Sequence, residues 1–136
     1  MQPAAILESA LYVDDLDAAE AFYSDLLGLA RIAKDEGRHV FFRCGSGVVL
    51  LFYARATEVP RAPGAGLPVP PHGAHGPGHL CFSASAVEIE RWKAHLEDAG
   101  VAIEAEFEWP QGGLSIYFRD PGGNSLEFAE PRIWGL

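Results

Sequence analysis

Two stretches of this chain repeat one local pattern, and that repeat limits the fold more than any other feature. Phe42-Arg43-Cys44-Gly45-Ser46-Gly47-Val48-Val49-Leu50 and Phe118-Arg119-Asp120-Pro121-Gly122-Gly123-Asn124-Ser125-Leu126-Glu127 each read strand, glycine turn, strand, with one residue of slippage. Glycine-rich turns between alternating apolar runs are β-hairpin signals. The order of elements upstream of each hairpin also repeats. Leu7, Ser9, Leu11 and Val13 alternate with Glu8, Ala10 and Tyr12, as in a strand. Asp14 or Asp15 then caps a helix with Leu16, Ala19, Phe22, Tyr23, Leu26 and Leu27 at helical spacing, and Gly28 ends it. Leu29 to Lys34, Arg38 to Cys44 and Val48 to Tyr53 follow as strands. In the second half His79 to Ala84 reads as a strand, and Ser85-Ala86-Val87-Glu88 is a capping box. It opens a helix that stops at Gly100, and Val101 to Glu108 is a strand before the hairpin. A β-α-β-β-β order met twice indicates an internal duplication. The expected class is α+β: two βαβββ modules at residues 1–56 and 79–136, joined by a Pro/Gly-rich linker or lid at 57–78.

The last strand poses the chemical question. Leu126 and Phe128 point to one face, while Ser125, Glu127 and Ala129 point to the other. A mid-strand carboxylate among small and apolar neighbours must be solvated, paired or metal-bound, because burying it bare is costly. Superposing the halves sets Glu8 against His79 and Leu50 against Glu127. If the helices cover the apolar faces, Glu8, His79 and Glu127 all face the hollow of a curved sheet. One histidine with two carboxylates suits a divalent ion such as Zn, Mn, Fe, Co or Ni, with positions left open for water or substrate. The other reading makes Glu8 a solvated residue near the terminus and His79 a satisfied core histidine. His72 and His75 in the linker read first as solvated and second as part of a lid. His39, Arg43 and Arg119 are candidate anion contacts or solvated charges at strand ends.

Composition excludes several functions. The chain has 136 residues, 49% of them hydrophobic, enough for one domain with its own core. A formal net charge of -9 without any basic run leaves no patch for nucleic acid or an anionic membrane. No apolar run is long enough to span a bilayer and the start is not leader-like, so a cytoplasmic location is expected. Cys44 and Cys81 have no metal-type spacing and are expected as reduced thiols buried in strands.

Glu8-Ser9-Ala10-Leu11-Tyr12-Val13-Asp14-Asp15-Leu16, with Ala21-Phe22-Tyr23-Ser24-Asp25-Leu26-Leu27-Gly28-Leu29 behind it, resembles the opening signature of the vicinal oxygen chelate superfamily. That group holds glyoxalase I, bleomycin-resistance proteins, fosfomycin-resistance proteins and extradiol dioxygenases. Gly78-His79-Leu80-Cys81-Phe82 and Tyr117 to Glu127 resemble its second half. The resemblance implies one domain of two modules whose curved mixed sheets surround a cavity. It places metal ligands at Glu8, Leu50, His79 and Glu127, of which Leu50 is no ligand; glyoxalase I has a carboxylate there, and dioxygenases have histidine where Glu8 stands. It further implies a small-molecule substrate chelating the ion through vicinal oxygens, with lyase, isomerase, transferase or dioxygenase chemistry. Glu127 or Glu8 is then a candidate base, and Tyr117 and Ser115 are candidate substrate contacts. It also implies module pairing, expected here as a homodimer in which Glu8 of one chain joins His79 and Glu127 of the other. The rival is a metal-free drug-binding protein, with Phe107, Trp109 and the linker closing over the ligand.

Overall fold

Asp15 fixes the entry to the first helix: its backbone is extended and its carboxylate accepts the Ala18 amide at 2.9 Å. In the computed structural model, which describes residues 1–136, the chain divides into two units, Met1–Pro77 and Gly78–Leu136. The first contains β1 (Glu8–Tyr12), α1 (Leu16–Ala21) with a wider π-helical continuation (Phe22–Leu26), β2 (Ala30–Asp35), β3 (His39–Cys44), β4 (Gly47–Phe52) and a short turn of helix, α2 (Ala54–Thr57). Its strands lie in the order β1-β4-β3-β2, β1 being parallel to β4 and the other pairs antiparallel. Gly28 ends the helical stretch with φ of 70°, a conformation that costs glycine little.

The second unit repeats this plan with β5 (His79–Ser83), α3 (Ala86–Asp98), β6 (Ala105–Glu108), β7 (Leu114–Arg119) and β8 (Ser125–Ala129). Its order is β5-β8-β7-β6, again with the first strand parallel to the last. The fold is therefore α+β, two βαβββ units with open mixed sheets, as the repeat requires. Two details differ from expectation. Val101 to Glu104 precede β6 instead of belonging to it, since after Gly100 (φ 78°) the chain must cross from helix to sheet, and Glu104 is the first to pair, its amide donating to the Tyr117 carbonyl at 2.7 Å. The chain closes on an unforeseen 3-10 turn, Pro131–Trp134.

Each sheet turns its apolar face to its helix. In the first unit Leu11, Val40, Phe42, Val49 and Leu51 are buried, and Tyr23 from the π-helical turn stacks on Phe42 at 5.8 Å. In the second, Ile116, Phe118, Leu126 and Phe128 are buried with Ile89 and Leu96 of α3, and Trp92 stacks on Phe128 at 4.6 Å. Glu127 therefore faces away from α3. The capping box at the head of α3 is complete: the Ser85 amide donates to Glu88 Oε2 at 2.8 Å, and Ser85 Oγ accepts from the Glu88 amide at 3.4 Å. Ser85→Ala should lower stability by about 1 kcal/mol in urea unfolding, and an unchanged midpoint would show that the cap is idle.

Candidate active site

The hollow face of the second unit presents His79 and Cys81 from β5, Ser125 and Glu127 from β8, and Ser115 and Tyr117 from β7. Pairing aligns Cys81, Glu127 and Tyr117 in one row, because Glu127 is the partner of both neighbours. Glu127 is only 4% exposed, and its Oε1 has no hydrogen-bond partner. Its Oε2 lies 3.3 Å from His79 Nε2. The other ring nitrogen, Nδ1, donates to the Ser125 carbonyl at 3.0 Å; a carbonyl only accepts, so Nδ1 holds a proton. A neutral His79 ring would then aim its Nε2 lone pair at a carboxylate oxygen. Such an approach needs a second ring proton or a cation between the two atoms.

The donor chemistry fits a metal ion. Nitrogen and oxygen ligands about 2.1 Å from one ion stand roughly 3.0 to 3.4 Å apart in right-angled or tetrahedral arrangements, which brackets the His79–Glu127 separation. A ligating histidine also typically gives its second N–H to a carbonyl, as His79 does. The set is incomplete, however: no three His, Cys, Asp or Glu side chains in the chain are arranged to hold an ion. His79 and Glu127 come together, whereas Glu8 belongs to the first unit. Around Glu127, burial and the adjacent carboxylate push the Tyr117 phenol up to about 12. Desolvation and Glu127 likewise push the Cys81 thiol up to about 12. Both groups are protonated at neutral pH; Tyr117 presents its O–H toward the carboxylate, while the Cys81 S–H donates to the Phe82 carbonyl at 3.7 Å. Cys81 is exposed, not buried as expected, and Cys44 is half-buried; neither forms a disulfide. The strand alternation already carried that information, since Cys81 lies two residues after His79.

The first unit has its own hollow, a cavity of about 500 Å³. Glu8, Ala10 and Tyr12 line it from β1, Leu50 and Phe52 from β4, His39 and Phe41 from β3, and Arg61, Val69 and His72 from the loop that follows α2. Glu8 thus faces the cavity of its unit, beside Leu50 rather than a second carboxylate. His72 is not a solvated loop residue: it is half-buried, and its Nδ1 lies 2.7 Å from the Tyr12 hydroxyl. His75 is exposed and paired with Glu58. The ring wall escaped sequence reading, although Phe41 and Phe52 alternate with the core residues Phe42 and Leu51.

The remaining candidates are accounted for locally. Arg119 forks onto Glu104 at 2.6 and 2.9 Å, which commits its guanidinium. Arg43 is exposed. Ser115 is fully buried and accepts from the Trp109 indole N–H at 2.8 Å, while Phe107 stacks on Tyr117 at 5.6 Å.

Duplicated βαβββ units, each with one sheet face under a helix and the other open, define a recognisable class of fold. The chain belongs to the Glyoxalase/Bleomycin resistance protein/Dioxygenase superfamily, whose family model matches residues 5–128. It is 32% identical over 120 residues to glutathione transferase FosA of Serratia marcescens, covering 86% of this chain and 74% of that protein. Among solved structures, lactoylglutathione lyase from Agrobacterium tumefaciens is 45% identical, covers 100% of both chains and superposes with a TM-score of 0.95. An integron cassette protein from the Halifax Harbour sewage outfall is 25% identical over 94% of this chain and 99% of its own, with a TM-score of 0.73.

Proposed function

We propose that the chain is a divalent-metal-dependent enzyme acting on a small substrate that chelates the ion through two vicinal oxygens, with lyase chemistry favoured. One observation carries the reading: the buried Glu127 carboxylate has an oxygen without a partner and faces an imidazole nitrogen across 3.3 Å. A likeness to a lactoylglutathione lyase over the full length of both chains supports lyase over transferase chemistry. His79, Glu127 and Glu8 would hold the ion, which when bound supplies Lewis acidity toward substrate oxygens. His79 is oriented by its bond to the Ser125 carbonyl. Glu127, screened from water, is the group to take up and return a substrate proton, and Tyr117 keeps its own proton and donates a hydrogen bond. Untagged protein reconstituted anaerobically with Zn, Mn, Fe, Co or Ni should hold about one ion per chain. Elemental analysis that finds none with any of the five would favour the second reading, a metal-free binder, which the ring-lined cavity of the first unit supports.

The third ligand carries the proposal to assembly. We take the working form to be a homodimer in which Glu8 of one copy joins His79 and Glu127 of the other. Co-refolding a Glu8→Ala variant with a His79→Ala variant should then restore metal to a fraction of the mixed dimers. Metal content fixed at the level of the single variants would exclude a shared site.

A further inference from the structure

The hollow of the first unit is more specific than its volume suggests. Strand pairing arranges this face of the sheet in three rows across β3, β4 and β1, His39–Phe52–Tyr12, Phe41–Leu50–Ala10 and Arg43–Val48–Glu8, of which the first two and Glu8 line the cavity. The first row is aromatic throughout and is extended by His72 from the loop, whose ring lies 4.6 Å from Phe52. His39 stacks on Phe41 at 4.0 Å with the planes only 9° apart, and Phe52 meets Phe41 edge-on at 5.2 Å. Burial lowers the pKa of His39, so its ring is neutral at neutral pH and packs as an arene. Ala10, the one small side chain in the middle row, leaves flat room beside Leu50.

A cavity of about 500 Å³ is the size of a small organic ligand, and its lining narrows the chemistry. Ring cages often hold cations, but Arg38 and Arg61 stand in this wall and would repel one. A glutathione tripeptide brings two carboxylates and an ammonium, each needing a partner. Here only Arg38 has charge and donors to offer, since it gives one N–H to the Ala56 carbonyl at 2.6 Å, whereas Arg61 is held by Asp35 at 3.1 Å and by the Ala65 carbonyl at 3.0 Å, so a second carboxylate finds no free guanidinium in this wall. A flat apolar ring satisfies the wall without asking for either.

We infer that this cavity receives an aromatic ring of the substrate, whose vicinal oxygen pair lies at the Glu8 end. The inference deepens the proposed function and rests on it for the oxygen pair alone. Glu8 and Tyr12 are four residues apart on one strand, about 13 Å, so head and ring belong to one small molecule.

Calorimetric titration of the full chain with phenylpyruvate, pyruvate and glutathione tests it. Phenylpyruvate and pyruvate share a two-oxygen head and differ in the ring. Phenylpyruvate should bind roughly tenfold or more tightly than pyruvate. Ala10→Leu, which fills the floor, should erase that advantage without changing metal content. Phe41→Leu, milder toward folding, should reduce it. Equal affinities for the two acids, an advantage that survives both substitutions, or glutathione binding more tightly than phenylpyruvate would each overturn the inference. Protein without metal that still prefers phenylpyruvate would uphold the ring site while overturning the metal reading, and metal-loaded protein without the preference would do the reverse.

Discussion

Glu127→Gln is expected to strip the protein of metal and, in the metal-free state, to raise its melting temperature. The two effects share one cause. Glu127 is 4% exposed with Oε1 unpartnered, so in the absence of a cation the fold bears a buried carboxylate that Tyr117 and His79 satisfy only in part. A neutral amide of the same shape removes the charge and keeps a carbonyl for the neighbouring Tyr117. Relief of an unsatisfied buried group is worth about 1 to 3 kcal/mol, which for a chain of this size is on the order of 5 °C. Occupancy should fall from about one ion per chain to near zero, because an amide is a far weaker ligand than a carboxylate. Stability sacrificed at a working site is a common pattern in enzymes. Thermal unfolding of chelator-treated wild type and variant, with elemental analysis of both, checks the pair of effects. A variant less stable than metal-free wild type would show that Glu127 is structurally satisfied and would remove the main support for the metal proposal.

Asn124→Ala should be among the most damaging single substitutions for stability. The side chain is 1% exposed and works in two directions. Its amide nitrogen donates to Asp120 Oδ2 at 2.9 Å, while its amide oxygen accepts the Gly78 N–H at 2.7 Å. Its own backbone N–H reaches Asp120 Oδ1 at 2.8 Å. One residue thus ties the β7–β8 turn to Gly78, the residue just before β5. Alanine leaves Asp120, itself only 4% exposed, short of a donor and leaves the Gly78 amide unpaired. The expected loss is about 3 kcal/mol in urea unfolding, and a loss under roughly 0.5 kcal/mol would show that water replaces both bonds.

Much of this architecture was legible because it is written locally. Asp15, the Ser85–Glu88 capping box, Gly28 and Gly100 mark helix ends through chemistry confined to a few residues, and the two glycine turns mark hairpins in the same way. The repeat then supplied the topology, since equivalent segments must take equivalent places. What escaped depends on contacts distant in sequence. The order in the loop after α2 comes from Tyr12 meeting His72, sixty positions apart, and from Arg61 reaching Asp35. No property of a Pro/Gly-rich segment read alone announces such contacts. The late start of β6 is of the same kind, because Glu104 pairs only when Tyr117 is in place. At the site, strand alternation was enough to turn His79 and Glu127 to one face, and the structure places them within 3.3 Å. Cys81 shows the opposite failure: the same alternation applied to it, but its composition suggested a buried thiol.

The parallel pairing of first strand with last has a temporal side. β1 is held in its sheet only by β4, and β5 only by β8, so neither unit closes until its final strand exists. Pairings between distant segments must await the loop that joins them, which slows folding. During synthesis the first unit can set once residue 52 has been made, while β5, with His79, waits unpaired for Ser125–Ala129 near the end of the chain. A chain broken off before Ser125 would therefore leave the second sheet without its central strand and an apolar edge open to aggregation. The residues that furnish Glu127 are also the ones that certify the second half as finished.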